Sequence, residues 1–306
     1  MRIGRFGDGG NAWFWGLIDP DTDTVRRIDG DIDSWAAIAA AEDPQRLPLS
    51  KEKELLAGFR LLAPLDPGGR VFGVGANYGA HLERLGVTEP PPHPTAFMKP
   101  NSAIVGPGDE IRYPQTTAQL DYEVELVVVM GGGSSVPLLG FTVGNDISAR
   151  DAKGLGGLDL FSMKSLDRTT PVGPWIVTPA ELNTSGQPEV DIVLRVNGER
   201  RQHDNTGAMV WPVPELISYV NERIELRCGD LLFTGTTAGV GLEDGRFLQP
   251  GDVVETEIEG IGILGQYRGT ANDLRPPFLP ARVSQITWST WVCSHRDVAV
   301  PDIDAA

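Results

Sequence analysis

The chain has 306 residues, of which 41% are hydrophobic and 22% are charged, and its formal net charge at pH 7 is −16. This length predicts one large domain together with a smaller one. A chain this acidic is a poor candidate for binding nucleic acid or anionic membranes, because such binding depends on Lys and Arg. It is compatible with a small-molecule substrate or a cation.

The opening residues MRIGRFGDGG lack the apolar stretch of a signal peptide. No segment of the sequence reaches the roughly 20 apolar residues that cross a bilayer. Cys228 and Cys293 cannot form a disulfide framework, and they lack the spacing of a zinc site. We therefore expect a cytoplasmic protein with no membrane partner.

Residues 1–65 are predicted to form a small N-terminal α/β domain. A helix is expected over Ser34–Ala41, with Asp33 or Ser34 as its cap. The Pro- and Gly-rich segment 62–69 reads as a joint to the rest of the chain. The strands predicted in this domain cover Ala12–Ile18 and Thr24–Ile28.

From Arg70 onward, β-rich runs alternate with turn residues, and a helix is expected over Pro214–Arg223. Asn197-Gly198 predicts a hairpin turn of the primed type. Since strands and long helices do not alternate, the predicted class is α+β and mainly β. The predicted strands are Arg70–Val74, Thr95–Lys99, Tyr122–Met130, Phe141–Gly144, Trp175–Thr178, Val190–Val196, Leu231–Thr234 and Val253–Ile258.

The segment from Leu120 to Met130 carries three acidic residues and then becomes continuously apolar, which predicts that the apolar run is buried on both faces. Side chains alternate faces along a strand, so Asp121, Glu123 and Glu125 are predicted to share one face. Carboxylates at i and i+2 can converge on one hard cation such as Mg²⁺, which prefers oxygen ligands. A solvated acidic strand face is the alternative.

Two further polar residues follow predicted strands. Asp146 stands after the strand Phe141–Gly144 and could complete a three-carboxylate site, although turns and caps are the commoner use of Asp. His81 follows a strand and a Gly turn. It is a candidate general base because imidazole titrates near neutrality, and a surface or capping histidine is the alternative.

Lys164 and Thr236 are candidates for binding anionic oxygen atoms. Lys164 could bind a substrate carboxylate or an enolate oxygen, or it could simply be a surface lysine. Thr236 lies in a Gly-rich turn after a strand, which could present N–H groups to an oxyanion or serve only as a tight turn. The turn lacks the pattern of a phosphate-binding loop.

The order of the motifs is more specific than any one motif. The segments GANYGAH, DYEVEL, NDISARD, KS, PVGPW, VNGE, GDLLFTGTTAGVG and PGDVVETEIEGIGIL follow one another in this sequence. This series resembles the fumarylacetoacetate hydrolase family over roughly residues 70–268. The resemblance implies a catalytic domain with a mixed β-sandwich roll, usually dimeric, and leaves residues 269–306 as a C-terminal tail.

Carried over motif by motif, the resemblance implies that Glu123, Glu125 and Asp146 hold Mg²⁺, Mn²⁺ or Ca²⁺. It also implies that His81 is catalytic. Members of the family cleave C–C bonds in acylpyruvates or fumarylacetoacetate, decarboxylate oxaloacetate, or isomerise and hydrate related acids. The fold does not choose among these reactions, so a decarboxylase or isomerase of 2-oxo acids remains the alternative to a hydrolase.

The resemblance also assigns Lys164 to a position beside the metal and Thr236 to a substrate contact, and Tyr78 is a further substrate-binding candidate. One position departs from the family, which usually reads HxxE after Asn-Tyr. Here Arg84 stands where the acid is expected. Residues at i and i+3 are neighbours on a helix, whereas Glu83 at i+2 from His81 is not well placed to contact it.

The departure at Arg84 predicts either that an irregular segment brings Glu83 to the histidine or that the His–Glu dyad is missing. We favour the second outcome, in which Arg84 clamps a substrate carboxylate and water activation is weak. A non-hydrolytic relative that lacks the dyad is therefore a further alternative.

Overall fold

The computed structural model describes residues 1–10, 12–132, 138–154, 157–265 and 291–294, with 153–154, 157–158 and 291–294 described by their backbone only. Most of the predicted tail 269–306 lies outside these residues. The strands are β1 (Arg2–Gly7), β2 (Trp13–Asp19), β3 (Thr24–Ile28), β4 (Glu54–Leu55), β5 (Arg60–Leu62), β6 (Val71–Gly75), β7 (Thr95–Lys99), β8 (Ile104–Val105), β9 (Ile111–Arg112), β10 (Leu120–Asp121), β11 (Val124–Met130), β12 (Leu138–Asn145), β13 (Ser148–Ala149), β14 (Lys153–Gly154), β15 (Gly157–Leu158), β16 (Thr170–Val177), β17 (Asp191–Val196), β18 (Glu199–Asn205), β19 (Leu231–Thr236), β20 (Val253–Ile258), β21 (Gly262–Leu264) and β22 (Trp291–Ser294).

The helices are short and lie between strands. They are α1 (Ile32–Ala40), α2 (Gly79–Arg84), α3 (Leu160–Lys164), α4 (Val213–Asn221) and α5 (Gly241–Asp244), with 3₁₀ turns at Leu56–Gly58, Asn101–Ala103, Pro179–Leu182 and Thr206–Ala208. The predicted α+β, mainly β class is confirmed. No helix among the described residues is long and apolar enough to span a membrane.

Two large sheets form the frame of the molecule. The larger sheet has the strand order β4-β3-β2-β1-β16-β12-β11-β19-β6-β7, with β5 paired to β1 and β8 paired to β16. The smaller sheet has the order β18-β17-β20-β22-β9, with β21 paired to β20. Most pairs are antiparallel, but β19 pairs with β6 in parallel, so the larger sheet is mixed.

Strand β11 lies inside the larger sheet, and its two faces enter two different cores. Val124, Leu126 and Val128 pack with residues of the smaller sheet, whereas Val127 and Val129 pack in the cluster that includes helix α1. All five of these side chains are fully buried. The prediction that this apolar run is covered on both faces is therefore confirmed, and it explains why the run does not alternate.

The strands of residues 1–65 continue the larger sheet, because Arg2 and Ile3 of β1 pair with Val177 and Ile176 of β16. The division of the chain into two domains stays a prediction, while the sheet itself runs across the proposed boundary. Helix α1 begins at Ile32, with Asp31 at the N-cap, so the predicted caps Asp33 and Ser34 lie inside it.

The predicted hairpin turn between β17 and β18 is confirmed. Asn197 and Gly198 both have positive φ, at 52° and 79°, as the primed turn requires.

Candidate metal centre and active site

Three buried carboxylates converge at one end of the central strands. Glu123 precedes β11, Glu125 lies within it, and Asp146 follows β12, whose Asn145 is the register partner of Val124. One oxygen from each carboxylate lies within 4.8 Å of the other two. The backbone fixes this arrangement, because Asp146 N donates to Glu123 O at 2.9 Å and Glu123 N donates to the Asn145 side chain at 2.9 Å.

The third acidic residue of the motif lies apart from this cluster. The strand is interrupted at Tyr122 and Glu123, between β10 and β11. The Asp121 carboxylate accepts hydrogen bonds from Arg150 and from the backbone of Gly241 and Leu242. Asp121 is not one of the three converging carboxylates, but it shares the Arg150 guanidinium with Glu123, and the common face of the three acids stays a prediction.

Two lysines and an arginine contact the cluster. Lys164 donates to Glu123 and to Asp146, at 2.6 Å each, and Lys99 donates to the other oxygen of Asp146 at 2.6 Å. Arg150 donates to the second oxygen of Glu123. Both lysines are buried, with Lys99 only 3% exposed, so their positive charges act in a medium of low polarity.

The carboxylates differ in how well they are neutralised. Burial disfavours ionisation of Glu123, but the charges of Lys164 and Arg150 outweigh it and hold its pKa at about 2. Burial, followed by the charges of Asp146 and Glu123, raises the pKa of Glu125 well above its ordinary value. Glu125 accepts a hydrogen bond from Gly235 N at 2.7 Å. An acidic oxygen held against like charges in this way fits a divalent cation, which would supply the missing positive charge.

Gly235 is placed by its conformation as well as by this hydrogen bond. Its φ is +94°, which disfavours residues with a side chain, and an added Cβ would lie 2.8 Å from the Cβ of Asn77. Asn77 in turn donates to the backbone oxygens of Thr234 and Trp211. The Asn77 side chain thus connects the turn before helix α2 by a hydrogen bond to strand β19, which also carries Thr236.

Helix α2 carries His81, which is buried and has a carboxylate partner. His81 Nδ1 lies 2.9 Å from Oε1 of Glu243 on helix α5, and Oε2 of Glu243 accepts a hydrogen bond from Gly239 N at 2.8 Å. His81 is also close to Glu123, so a positive charge on its ring would lower the pKa of that carboxylate. The prediction that the His–Glu dyad is missing is wrong, because the acid comes from a segment 162 residues away rather than from the HxxE position.

The two residues that we considered near His81 lie at the surface. Glu83 and Arg84 are both exposed on helix α2. Glu83 is not brought round to the histidine, and Arg84 does not displace an acid, since the acid approaches from another direction. The role of Arg84 as a substrate clamp stays a prediction.

Thr236 and Tyr78 are buried beside the cluster. The Thr236 hydroxyl donates to Val124 O at 2.8 Å and accepts from the Gln202 side chain at 2.9 Å. The Tyr78 hydroxyl has no hydrogen-bond partner among the described residues. Burial, followed by the charge of Glu125, raises the pKa of Tyr78. A buried hydroxyl of this kind is available to a ligand.

Several residues of the site were missed by sequence reasoning. Lys99, Arg150, Gln202 and Glu243 all contact the residues discussed above. Arg150 stands within the motif NDISARD, whereas Glu243 stands two residues after the end of the motif GDLLFTGTTAGVG. Lys99 and Gln202 carry no local signal of this kind.

Comparison with known proteins places this site in a family. Residues 70–267, which are more than half of the chain, match the protein family described as "Fumarylacetoacetate (FAA) hydrolase C-terminal". The chain belongs to the fumarylacetoacetate hydrolase family. This confirms the resemblance inferred from the order of the motifs.

The fumarylacetoacetate hydrolase family includes relatives with different reactions. The chain is 36% identical over 280 residues to a 2,4-didehydro-3-deoxy-L-rhamnonate hydrolase from Sphingomonas sp., covering 86% of this chain and 94% of the relative. It is 38% identical over 214 residues to a mitochondrial oxaloacetate tautomerase from Rattus norvegicus, covering 66% and 67%. A fumarylpyruvate hydrolase from Pseudomonas aeruginosa, solved in complex with Mn²⁺ and pyruvate, is 34% identical, with a TM-score of 0.57 over 67% of this chain and 89% of that one.

Proposed function

We propose that this protein is a divalent-metal-dependent hydrolase that cleaves a C–C bond in an acylpyruvate or a similar 1,3-diketo acid. The observation that carries the proposal is the buried His81–Glu243 pair beside the three-carboxylate cluster. Mg²⁺, Mn²⁺ or Ca²⁺ held by Glu123, Glu125 and Asp146 would act as a Lewis acid toward the substrate oxygens. The Mn²⁺ complex of the Pseudomonas relative supports this choice of cofactor.

In this proposal His81 is the general base. Because the Glu243 carboxylate can only accept, the Nδ1 atom of His81 carries the proton, and Nε2 is left free to take a proton from water. The resulting hydroxide adds to a substrate carbonyl carbon. The adjacent C–C bond then breaks, with its electron pair passing to the α-carbon and oxygen of the leaving oxo acid. One fragment becomes a carboxylic acid, and the other takes up a proton as an oxo acid.

Lys164 and Thr236 are proposed to face the oxygen atoms on which charge develops. Lys164 already lies within hydrogen-bond distance of two metal-ligand carboxylates, so its ammonium group is close to any oxygen that binds the metal. Tyr78 is proposed to bind the substrate through its unpartnered hydroxyl. Arg84, being exposed, is proposed to attract the substrate carboxylate at the entrance.

A second candidate is a metal-dependent tautomerase or decarboxylase of 2-oxo acids at the same site. The oxaloacetate tautomerase from Rattus norvegicus, at 38% identity, favours it. In that reaction His81 would move a proton between carbon and oxygen, and no water would be consumed. The hydrolase from Sphingomonas matches over a longer part of both chains, which favours hydrolysis. We also propose a cytoplasmic homodimer with no nucleic-acid or membrane partner.

The test is turnover by the purified chain after chelation and after addition of Mg²⁺, Mn²⁺ or Ca²⁺. We expect metal-dependent hydrolysis of an acylpyruvate, and its loss in Glu125→Ala with the fold retained. Faster metal-dependent tautomerisation or decarboxylation of oxaloacetate than acylpyruvate hydrolysis would favour the second candidate. Equal activity with and without metal would contradict both.

A further inference from the structure

The carboxylate of Asp121 lies between the two halves of the proposed catalytic apparatus. It is fully buried, and it accepts hydrogen bonds from the backbone N–H groups of Gly241, at 2.6 Å, and Leu242, at 3.0 Å. These two residues begin helix α5, whose third residue is Glu243. Asp121 therefore fixes the backbone that carries the carboxylate partner of His81.

The same carboxylate also holds the group that contacts a metal-ligand side chain. Its Oδ2 accepts from Arg150 Nε at 2.8 Å, and the terminal Nη2 of the same guanidinium donates to Glu123. The planar guanidinium cannot turn toward Glu123 without also turning relative to Asp121. The orientation of Glu123 is thus tied to the position of Asp121.

We propose that Asp121 is a positioning residue that sets the geometry of the base pair and of the metal ligand together. It acts on His81 through Glu243 and on Glu123 through Arg150, and it touches neither substrate nor metal. The predicted effect of Asp121 on kcat rests on the proposed function. Its predicted effect on Mn²⁺ binding can be measured without turnover. Partners of this kind around metal and base residues typically contribute about 10–100-fold in affinity or activity.

The variant Asp121→Asn separates this role from ordinary stabilisation. Asparagine has one acceptor oxygen. An amide group in place of Oδ1 would oppose the N–H of Gly241, and an amide group in place of Oδ2 would oppose both the N–H of Leu242 and Nε of Arg150, so a contact to helix α5 is lost in either orientation. Asp230 offers a matched control. It is also fully buried, and it accepts from the N–H groups of Arg70 and Arg227 and from the Arg70 guanidinium, at the opposite end of β19 from Thr236.

We expect Asp121→Asn to weaken Mn²⁺ binding, or lower kcat for acylpyruvate hydrolysis, or both, by about 10–100-fold per folded molecule. Asp230→Asn should reduce the free energy of unfolding without either change. When Glu243 has already been replaced by Gln, Asp121→Asn should lower kcat much less, because Asp121 can then no longer act on His81 through the Glu243 carboxylate. Unchanged Mn²⁺ affinity and kcat in Asp121→Asn, or equal losses in Asp230→Asn, would overturn the proposal.

A measurement on the unmodified chain covers the case in which the variant does not fold. Arg150 and Asp121 connect Glu123 to the start of helix α5. Mn²⁺ binding to Glu123 should therefore slow hydrogen exchange at the amides of Gly241 and Leu242. The amides of Arg70 and Arg227, which Asp230 holds, should be unaffected. If the chain turns over no oxo acid, the proposed function fails, yet Mn²⁺ affinity and hydrogen exchange still decide the role of Asp121. If Mn²⁺ leaves the hydrogen-exchange rates of the Gly241 and Leu242 amides unchanged, the proposed connection between Asp121 and the metal site is refuted.

Discussion

Replacing Glu243 by Gln changes the His81 contact with little change in shape. In the structure one Glu243 oxygen faces His81 Nδ1 at 2.9 Å and the other faces Gly239 N at 2.8 Å. Glutamine has only one acceptor oxygen, so its amide group must face one of these two atoms. If it faces Gly239, two N–H groups oppose each other in a buried place, which costs about 1–3 kcal/mol. The amide is therefore expected to face His81.

An amide that donates to Nδ1 moves the ring proton of His81 to Nε2. The nitrogen proposed to accept a proton from water is then already occupied. General-base catalysis contributes roughly 10²–10⁴-fold. We therefore expect kcat for acylpyruvate hydrolysis to fall by that factor, or about 3–5 kcal/mol of transition-state stabilisation. Mn²⁺ affinity should stay close to that of the wild type, because Glu243 does not contact the carboxylate cluster.

The assay is steady-state loss of the acylpyruvate enol absorbance, with Mn²⁺ affinity measured by calorimetry on the same preparations. Glu83→Gln is the matched control, since Glu83 is an exposed acid on the same helix as His81. It should hydrolyse like the wild type. The reasoning is refuted if Glu243→Gln remains fully active, or if Glu83→Gln loses the activity instead.

Four further predictions concern the cluster, the turn beside it and assembly. Glu125→Gln should keep the hydrogen bond from Gly235 but weaken Mn²⁺ binding by at least about tenfold in calorimetry. Burial is the main cause of the raised pKa of Glu125, so the folded metal-free chain must ionise this buried carboxyl as pH rises above the ordinary pKa of 4.5. Its free energy of unfolding should therefore fall with rising pH, and its Mn²⁺ affinity should rise. Thermal unfolding of the metal-free wild type from pH 5 to 8 checks the loss of stability, and Glu125→Gln should weaken this pH dependence. Gly235→Ala should lower the free energy of unfolding in urea by about 1–3 kcal/mol, because φ is +94° and the new Cβ would meet Asn77; no change would contradict the strain. Light scattering at micromolar concentration should give twice the chain mass of 33.0 kDa, and a monomer mass would count against the proposed dimer.

The carboxylate cluster was predictable because its chemistry is local. Glu123 and Glu125 stand two residues apart at the start of a buried strand, and Asp146 directly follows the neighbouring strand, so a short stretch of sequence carries most of the arrangement. The break between β10 and β11 was not predictable from alternation. A strand interruption depends on what the flanking residues pair with, and here Asp121 pairs with Ser148 in a separate two-stranded sheet.

The partner of His81 was not predictable from helix spacing. Looking for an acid three residues along the chain assumes that the dyad is built within one helix. The structure builds it between α2 and α5, which only the folded sheet brings together. The one available signal was the acid Glu243, which lies just after the Gly-rich turn and outside the motif that ends at Gly241.

Strand β1 is made long before its partner in the larger sheet, since Val177 lies 175 residues after its register partner Arg2. At translation rates of about 5–20 residues per second, the wait is roughly 10–35 s. The local pairings of β1 with β2 and of β2 with β3 can form at once, because they span few residues. Ile3, which is buried in the finished fold and pairs with Ile176, lacks this cover until β16 has been made. The charged side chains of Arg2 and Arg5 on β1 are of the kind that discourages an open edge from pairing with another nascent chain before β16 arrives.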